Sequence, residues 1–429
     1  MVTTPELKDQ KRRAAEAQLA ALPLPEDEAS WARDARARAR TRLLESGAPV
    51  RRDEYWKYTD PAQLTEPAAP VAPAEEVGEA RPDPFAALTA RRVRFVNGRH
   101  RADLSDDAAQ AGLAVSRLAD ALSQDISILR DLYGVLEAAG QEKVPRPLAS
   151  LNTAAATEGL VMQATGRVET PVLIDHAQIG EGASLLHHVI RVEQGASLTV
   201  LETGWAQNAV MEVDLAPGAE FRHIRLQDRP DRAAASHVFA RIGAEAGFRS
   251  FTMTTDGTLT RNETVAELAG DSGLCHIAGA VLGQGDSHCD NTVFVTHGAP
   301  HCESRQVFKN VLGGEAQAIF QGKIFVRSAA QKTDGYQISQ SVLLNDGAEF
   351  SAKPELEIYA ADVKCSHGST TGALDETALF YLRSRGIGRT EAEALLIASF
   401  VEEAIAEIDD EAVAEVVREA LAAWMARRS

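Results

Sequence analysis

A thiol and an imidazole two residues apart, Cys365 and His367, are the side chains of this 429-residue chain best suited to chemistry. Both are soft metal ligands. The run from Leu356 to His367, with Ile358, Tyr359 and Val363, predicts a strand, and residues two apart on a strand share a face, with Ser366 turned away. Two ligands are fewer than the usual four around zinc or an iron-sulfur cluster, so a site here would be labile or completed by another chain. The plainer alternative is that Cys365 is a small hydrophobe filling a core. A second stretch, His288-Cys289, His297 and His301-Cys302, sets five potential ligands within fifteen residues. Its spacing is not the Cys-x-x-Cys of structural zinc sites, so His297, His301 and Cys302 are the weaker metal candidates. Cys275-His276 reads as packing within a strand. No phosphate-cradling Gly-x-x-x-x-Gly-Lys loop, Gly-x-Ser-x-Gly elbow or His-Glu-x-x-His helix occurs. The chain reads as a non-enzyme whose energy comes from a partner, and the lack of a cysteine-rich ligand run argues against a permanently bound cluster.

Composition narrows the setting. With 45% hydrophobic and 25% charged residues the chain reads as a soluble globular protein large enough for a sizeable core. No apolar run approaches the ~20 residues of a membrane helix, and the amino terminus lacks a signal peptide's apolar core, so a cytoplasmic location is expected. Four cysteines in so long a chain do not make a disulfide framework. A net charge of -18 argues against nucleic acid, whose phosphates call for clustered Lys and Arg. The charge is uneven: residues 390–429 hold ten acidic and three basic side chains, residues 33–57 eight basic and four acidic. Both read as solvated faces, with charge-guided docking as the alternative.

The elements that must position the pair follow from texture. Residues 5–22 and 28–45 read as helices, followed by the aromatic run Tyr55-Trp56-Lys57-Tyr58, which completes an amino-terminal helical region over 1–64. Proline-rich residues 65–84 read as an extended linker, and 85–143 as a mixed α/β segment with a strand at Arg92–Val96. From 144 to 375 short apolar runs alternate with Gly, Asp and Asn. The phrase Gly182-Ala-Ser-Leu185 returns as Gly195-Ala-Ser-Leu198, and more loosely as Gly218-Ala-Glu-Phe221 and Gly347-Ala-Glu-Phe350. Such recurrence points to a solenoid of stacked coils rather than a Greek-key sandwich, with roughly nine turns of about 25 residues. Residues 376–429 read as a helical domain. Thr390 and Glu393 suggest a capping box opening a helix over 391–408, with Ile397, Val401 and Ile405 on one stripe and Trp424 on the next helix.

Together with Ser304-Arg305-Gln306, Gly322-Lys323-Ile324, Ala330-Gln331-Lys332-Thr333-Asp334 and Leu379-Phe380-Tyr381-Leu382-Arg383-Ser384-Arg385-Gly386-Ile387, the segment around Cys365 closely resembles the SufB/SufD family of iron-sulfur cluster assembly proteins. Arg52-Asp53-Glu54-Tyr55-Trp56-Lys57-Tyr58-Thr59 resembles the amino-terminal signature of that family's SufD branch. The resemblance implies a mainly β protein whose core is a right-handed parallel β-helix between α-helical regions. It implies a scaffold subunit that forms a heterodimer with a SufB-like subunit and binds a SufC-like ATPase through its carboxy-terminal region. Leu379, Phe380, Tyr381, Ile397, Val401, Ile405 and Trp424 are then the expected partner-binding residues. Cys365 and His367 are implied to handle iron, sulfur or a transient cluster at the subunit seam, and the isolated chain could pair with itself. Ala361 departs from the family, which more often has an acidic residue there. Two other readings remain: a β-helix lyase acting on polysaccharide, which the acidic charge suits poorly, and a SufB-like homodimer holding cluster alone.

Overall fold

The computed structural model describes residues 5–23, 27–71, 83–124, 126–228 and 232–428. Its centre is a parallel β-solenoid. Successive strands from Leu160–Ala164 to Lys364–Gly372 alternate between two sheets, with seven turn-to-turn steps in each. Val172 pairs with Val200, Leu274 with Glu303 and Asp334 with Lys364, so a turn takes 28 to 30 residues there. Turns near the amino end of the stack, as from Ser197 to Glu220, are shorter than the expected 25 residues, but most are longer, so fewer of them fill the same length.

The recurring glycine phrase makes the corners. Gly195 and Gly218 sit at φ +68° and +67°, where a Cβ is strained, and each chain then plunges inward at Leu198 and Phe221, which pair in register and are buried. Repeated every turn, this inward step builds a core running the length of the stack, from Val93 and Phe95 through Val200 and Phe248 to Phe308 and Phe320.

Both outer faces are covered. Helices Pro5–Ala21 and Ser30–Ser46, with Pro147–Ala155, lie on the side of one sheet. Helices Arg389–Ile405 and Glu411–Arg428 lie on the other, where Ile397, Val401, Ile405 and Trp424 join Ile224, Leu226, Phe251 and Met253 in one apolar cluster. Fully burying such side chains contributes about 1.5–3 kcal/mol each. The helical stripe therefore packs on the flank of the solenoid, not on its end.

Two local expectations are corrected. The strand predicted over 356–367 is interrupted at 359–363, where the chain turns from Glu349–Ile358 in one sheet to Lys364–Gly372 in the other. Thr390 and Glu393 form no capping box: the helix starts at Arg389, and Glu393 pairs with the Arg389 guanidinium at 2.7 Å instead. Caps are found elsewhere, at Asp375, which accepts from the Thr377 and Ala378 N–H groups, and at Asp410, which accepts from Ala412 and Val413. Most of the expected linker, residues 72–82, lies outside the described residues.

Candidate functional site

The two ends of the solenoid differ. At the amino-terminal end the sheets finish in antiparallel strands, Arg99–His100 on one side and Leu113–Arg117 on the other. At the carboxy-terminal end Glu349–Ile358 and Lys364–Gly372 are the last strands, each paired on one side only. Ile358 and Tyr359 are 38% and 61% exposed there.

Cys365 and His367 stand on this last turn. They pair in register with Gly335 and Gln337, which are buried on the interior side of their strand while Ile338, between positions of this face, packs with the outer helices, so both face the interior side of the last turn. A Cβ on Gly335 would lie 3.3 Å from the Cys365 Sγ, which places the sulfur directly over the glycine. The thiol is half-buried against the cluster of Ile324, Val326 and Ala330, while His367 is exposed. Cys365 packs, and it does so at the rim. Burial pushes its thiol pKa up, Asp334 adds to this, and a hydrogen bond with the Gly335 backbone opposes it. A metal or a cation beside it would reverse the shift.

The turn before Cys365 is fixed from below by Ala330–Asp334. Asp362 N–H donates to Gln331 Oε1 at 3.0 Å, Lys332 N–H to the Asp362 carbonyl at 2.6 Å, and Lys364 N–H to the Thr333 carbonyl at 2.8 Å. Lys332 also pairs with the Asp362 carboxylate. Ala361 is exposed, so the missing acidic residue leaves these contacts intact.

The aromatic signature reaches the same end from outside. Tyr55 Oη donates to Glu355 Oε2 at 2.6 Å, Lys353 Nζ lies 4.0 Å above the Tyr55 ring, and Lys353 pairs with Glu54 at 2.8 Å. Trp56 stacks under the buried Arg261 guanidinium at 4.0 Å, and Thr59 donates to Asp290 at 2.6 Å. The signature is an anchor that ties the amino-terminal helices to the sheet ending in Glu349–Ile358.

The weaker metal candidates are not brought together. His297 is buried and bonded to Ser304 Oγ at 2.8 Å, and burial lowers its pKa to about 4. His301 is exposed beside Asp271 at 3.2 Å, and Cys302 donates to the Gly270 carbonyl at 3.2 Å. Cys275 and Cys289 are core residues, burial raising the Cys289 thiol to about 12. Among the described residues no three His, Cys, Asp or Glu side chains converge as a metal site.

The expected partner-binding set divides sharply. Phe380 and Tyr381 are 73% and 54% exposed on helix Glu376–Ser384. Leu379, Ile397, Val401, Ile405 and Trp424 are buried within the chain, and they are unavailable to a partner while the helices stay docked. Sequence reasoning missed the polar interior, where Glu202 accepts from His176 and His223 at 3.0 and 2.9 Å. The alternation along Leu198-Thr-Val-Leu-Glu202 was its only signal. Residues 174–400 match the family model for the SUF system FeS cluster assembly SufBD core domain. The chain is 31% identical to the iron-sulfur cluster assembly protein SufD of Escherichia coli, over 84% of this chain and 85% of that one. It is 28% identical to an iron-sulfur cluster assembly SufBD family protein of Synechocystis over 84% of each, and 28% to SufD of Bacillus subtilis over 56% and 58%.

Proposed function

Because the chain belongs to the SufBD family of iron-sulfur cluster assembly proteins, we propose that it is a SufD-type scaffold subunit: non-catalytic, paired with a SufB-like subunit and served by a SufC-like ATPase. Its cargo is iron, sulfide sulfur or a nascent cluster, handled in the cytoplasm at the seam between the two scaffold chains. The observation that carries this reading is the asymmetry of the solenoid. One end finishes in short antiparallel strands of two and five residues, and the other in long parallel strands of ten and nine residues, the last of which bears Cys365 and His367. An open edge with exposed Ile358 and Tyr359 requires cover, and a second β-solenoid of the same family supplies it by continuing the stack. The same contact would add the ligands that a thiol and an imidazole lack.

Chemistry at the seam follows from the two side chains. Cys365 offers sulfur that becomes a thiolate when iron displaces its proton, and His367 offers a nitrogen whose lone pair is free when the ring is neutral. Both sit where arrival or departure of the neighbouring chain makes and breaks the site. The exposed Phe380 and Tyr381 supply the hydrophobic contact for the ATPase subunit. ATP-driven movement there would be transmitted to the seam. Co-expression of the chain with its two partners, followed by anaerobic supply of ferrous iron and sulfide, tests the reading. Cys365→Ser or His367→Ala is expected to lower the visible absorbance of assembled cluster at least tenfold while the complex still elutes intact. Undiminished cluster yield in both variants would sink it.

A further inference from the structure

Beneath His367 stands a column of amides whose hydrogen bonding is incomplete. Gln306, Gln337 and His367 pair in register on three successive turns, and paired residues on neighbouring strands are about 4.8 Å apart. Both glutamines are fully buried. Gln337 Nε2 donates to Gln306 Oε1, and this single bond leaves Gln306 Nε2 and Gln337 Oε1 both buried with no partner. An unpaired buried acceptor is destabilising, so its presence calls for an explanation. One turn further on, His367 makes no hydrogen bond among the described residues. Gly322 faces the amide: a Cβ there would meet the Gln337 amide, which would have to move from this place.

We propose that Gln337 is a positioning residue for His367. The two groups are not bonded in the structure; a turn of the exposed imidazole would let the free Oε1 accept the N–H of one ring nitrogen, fixing the tautomer and leaving the lone pair of the other nitrogen for whatever Cys365 holds. The inference rests on the reading of Cys365 and His367 as a ligand pair. Metal-binding imidazoles commonly donate their second N–H to an oxygen in this way, and loss of that oxygen typically costs 10–100-fold in affinity or activity. An amide suits the place better than a carboxylate, since no cation lies in the column to offset a buried charge. Gln306 polarises the Gln337 amide from below and Gly322 makes space for it, which gives two of the sequence motifs a shared task.

The test is the tautomer of His367 in the full chain labelled with nitrogen-15 histidine. It is recorded at about pH 8.5, above the ordinary histidine pKa of about 6.5. The His367 signals are identified by their loss in His367→Gln. In the wild-type chain one tautomer is expected to dominate. Gln337→Met, which keeps length and packing, should return the ratio to that of free imidazole, and Gln337→Glu should preserve the preference. With partners present, Gln337→Met should reduce cluster yield about 10–100-fold. A free-imidazole ratio in the wild-type chain would overturn the inference whether or not the variant folds, as would an unchanged ratio in Gln337→Met. Failure of the ligand reading is separate: it would appear as full cluster yield in Cys365→Ser, with the tautomer ratio unaffected.

Discussion

A side chain's burial decides its chemistry at several points in this molecule, and His297 gives the clearest case. Its pKa falls to about 4 because burial disfavours the charged ring. In the unfolded chain the same ring takes its proton near pH 6.5, so the unfolded state binds more protons between about 6.5 and 4. Stability must therefore fall as pH drops through that window. The contribution is about 3 kcal/mol when fully expressed. Urea denaturation at pH 7 and pH 4 should show a smaller loss for His297→Gln than for wild type by that order, and equal losses would contradict the assignment. Cys365 illustrates the converse, a thiol raised by partial burial yet lying at a rim. The pairing of Cys365 with His367 on one strand face was legible because strand periodicity is local. That both face inward on an uncovered turn was not, since it depends on which strand is last in the stack. Gln337 lay outside every quoted motif, and its role emerges only from register with His367.

Among the elements, the carboxy-terminal helices carry the main correction. Their amphipathic stripe was read from the sequence, but a stripe does not say what it covers. Here it covers the sheet, pinned by charge pairs of Asp409 with Arg222 and of Glu407 with Arg305 and His276. Removing residues 390–429 would strip that sheet bare, so lost ATPase binding in such a deletion would say nothing about docking. Point changes separate the two roles. Trp424→Ala should cost about 3–5 kcal/mol in urea denaturation, the usual price of emptying a buried aromatic site. The pair Phe380→Ser and Tyr381→Ser should change stability by less than about 0.5 kcal/mol each, being exposed, yet weaken capture of the ATPase subunit. Unchanged capture would remove helix Glu376–Ser384 from the docking surface. The failed capping box has a simple cause. Arg389 lies four residues before Glu393 and competes for its carboxylate, a pairing no cap motif takes into account.

For the whole molecule, the solenoid was legible from recurring glycine phrases, whereas its turn count was overestimated because corners lengthen toward the carboxy terminus. Glu303 to Asp334 spans one full turn, as does Gln317 to Glu349. The difference between the ends sets the assembly behaviour. Without its partner the chain should pair with itself through Ile358, Tyr359 and the open strands, giving a dimer at tens of micromolar in sedimentation equilibrium. Ile358→Lys together with Tyr359→Lys should leave a monomer, since charges on an open edge oppose strand pairing. A wild-type monomer across that concentration range would exclude the end as an adhesive surface.

A stack held by nearest neighbours does not open uniformly. Its final rung has a neighbour below and none above, so it is the first the chain can release and the last it secures, without any need to unravel the coils beneath. Cys365 and His367 ride on that rung, so any cargo they hold, as proposed, would be held by the segment that opens most easily. On the proposed pairing, a docking subunit would close that breathing as it arrives and restore it on leaving, so that grip on the cargo and attachment of the neighbour would become one event.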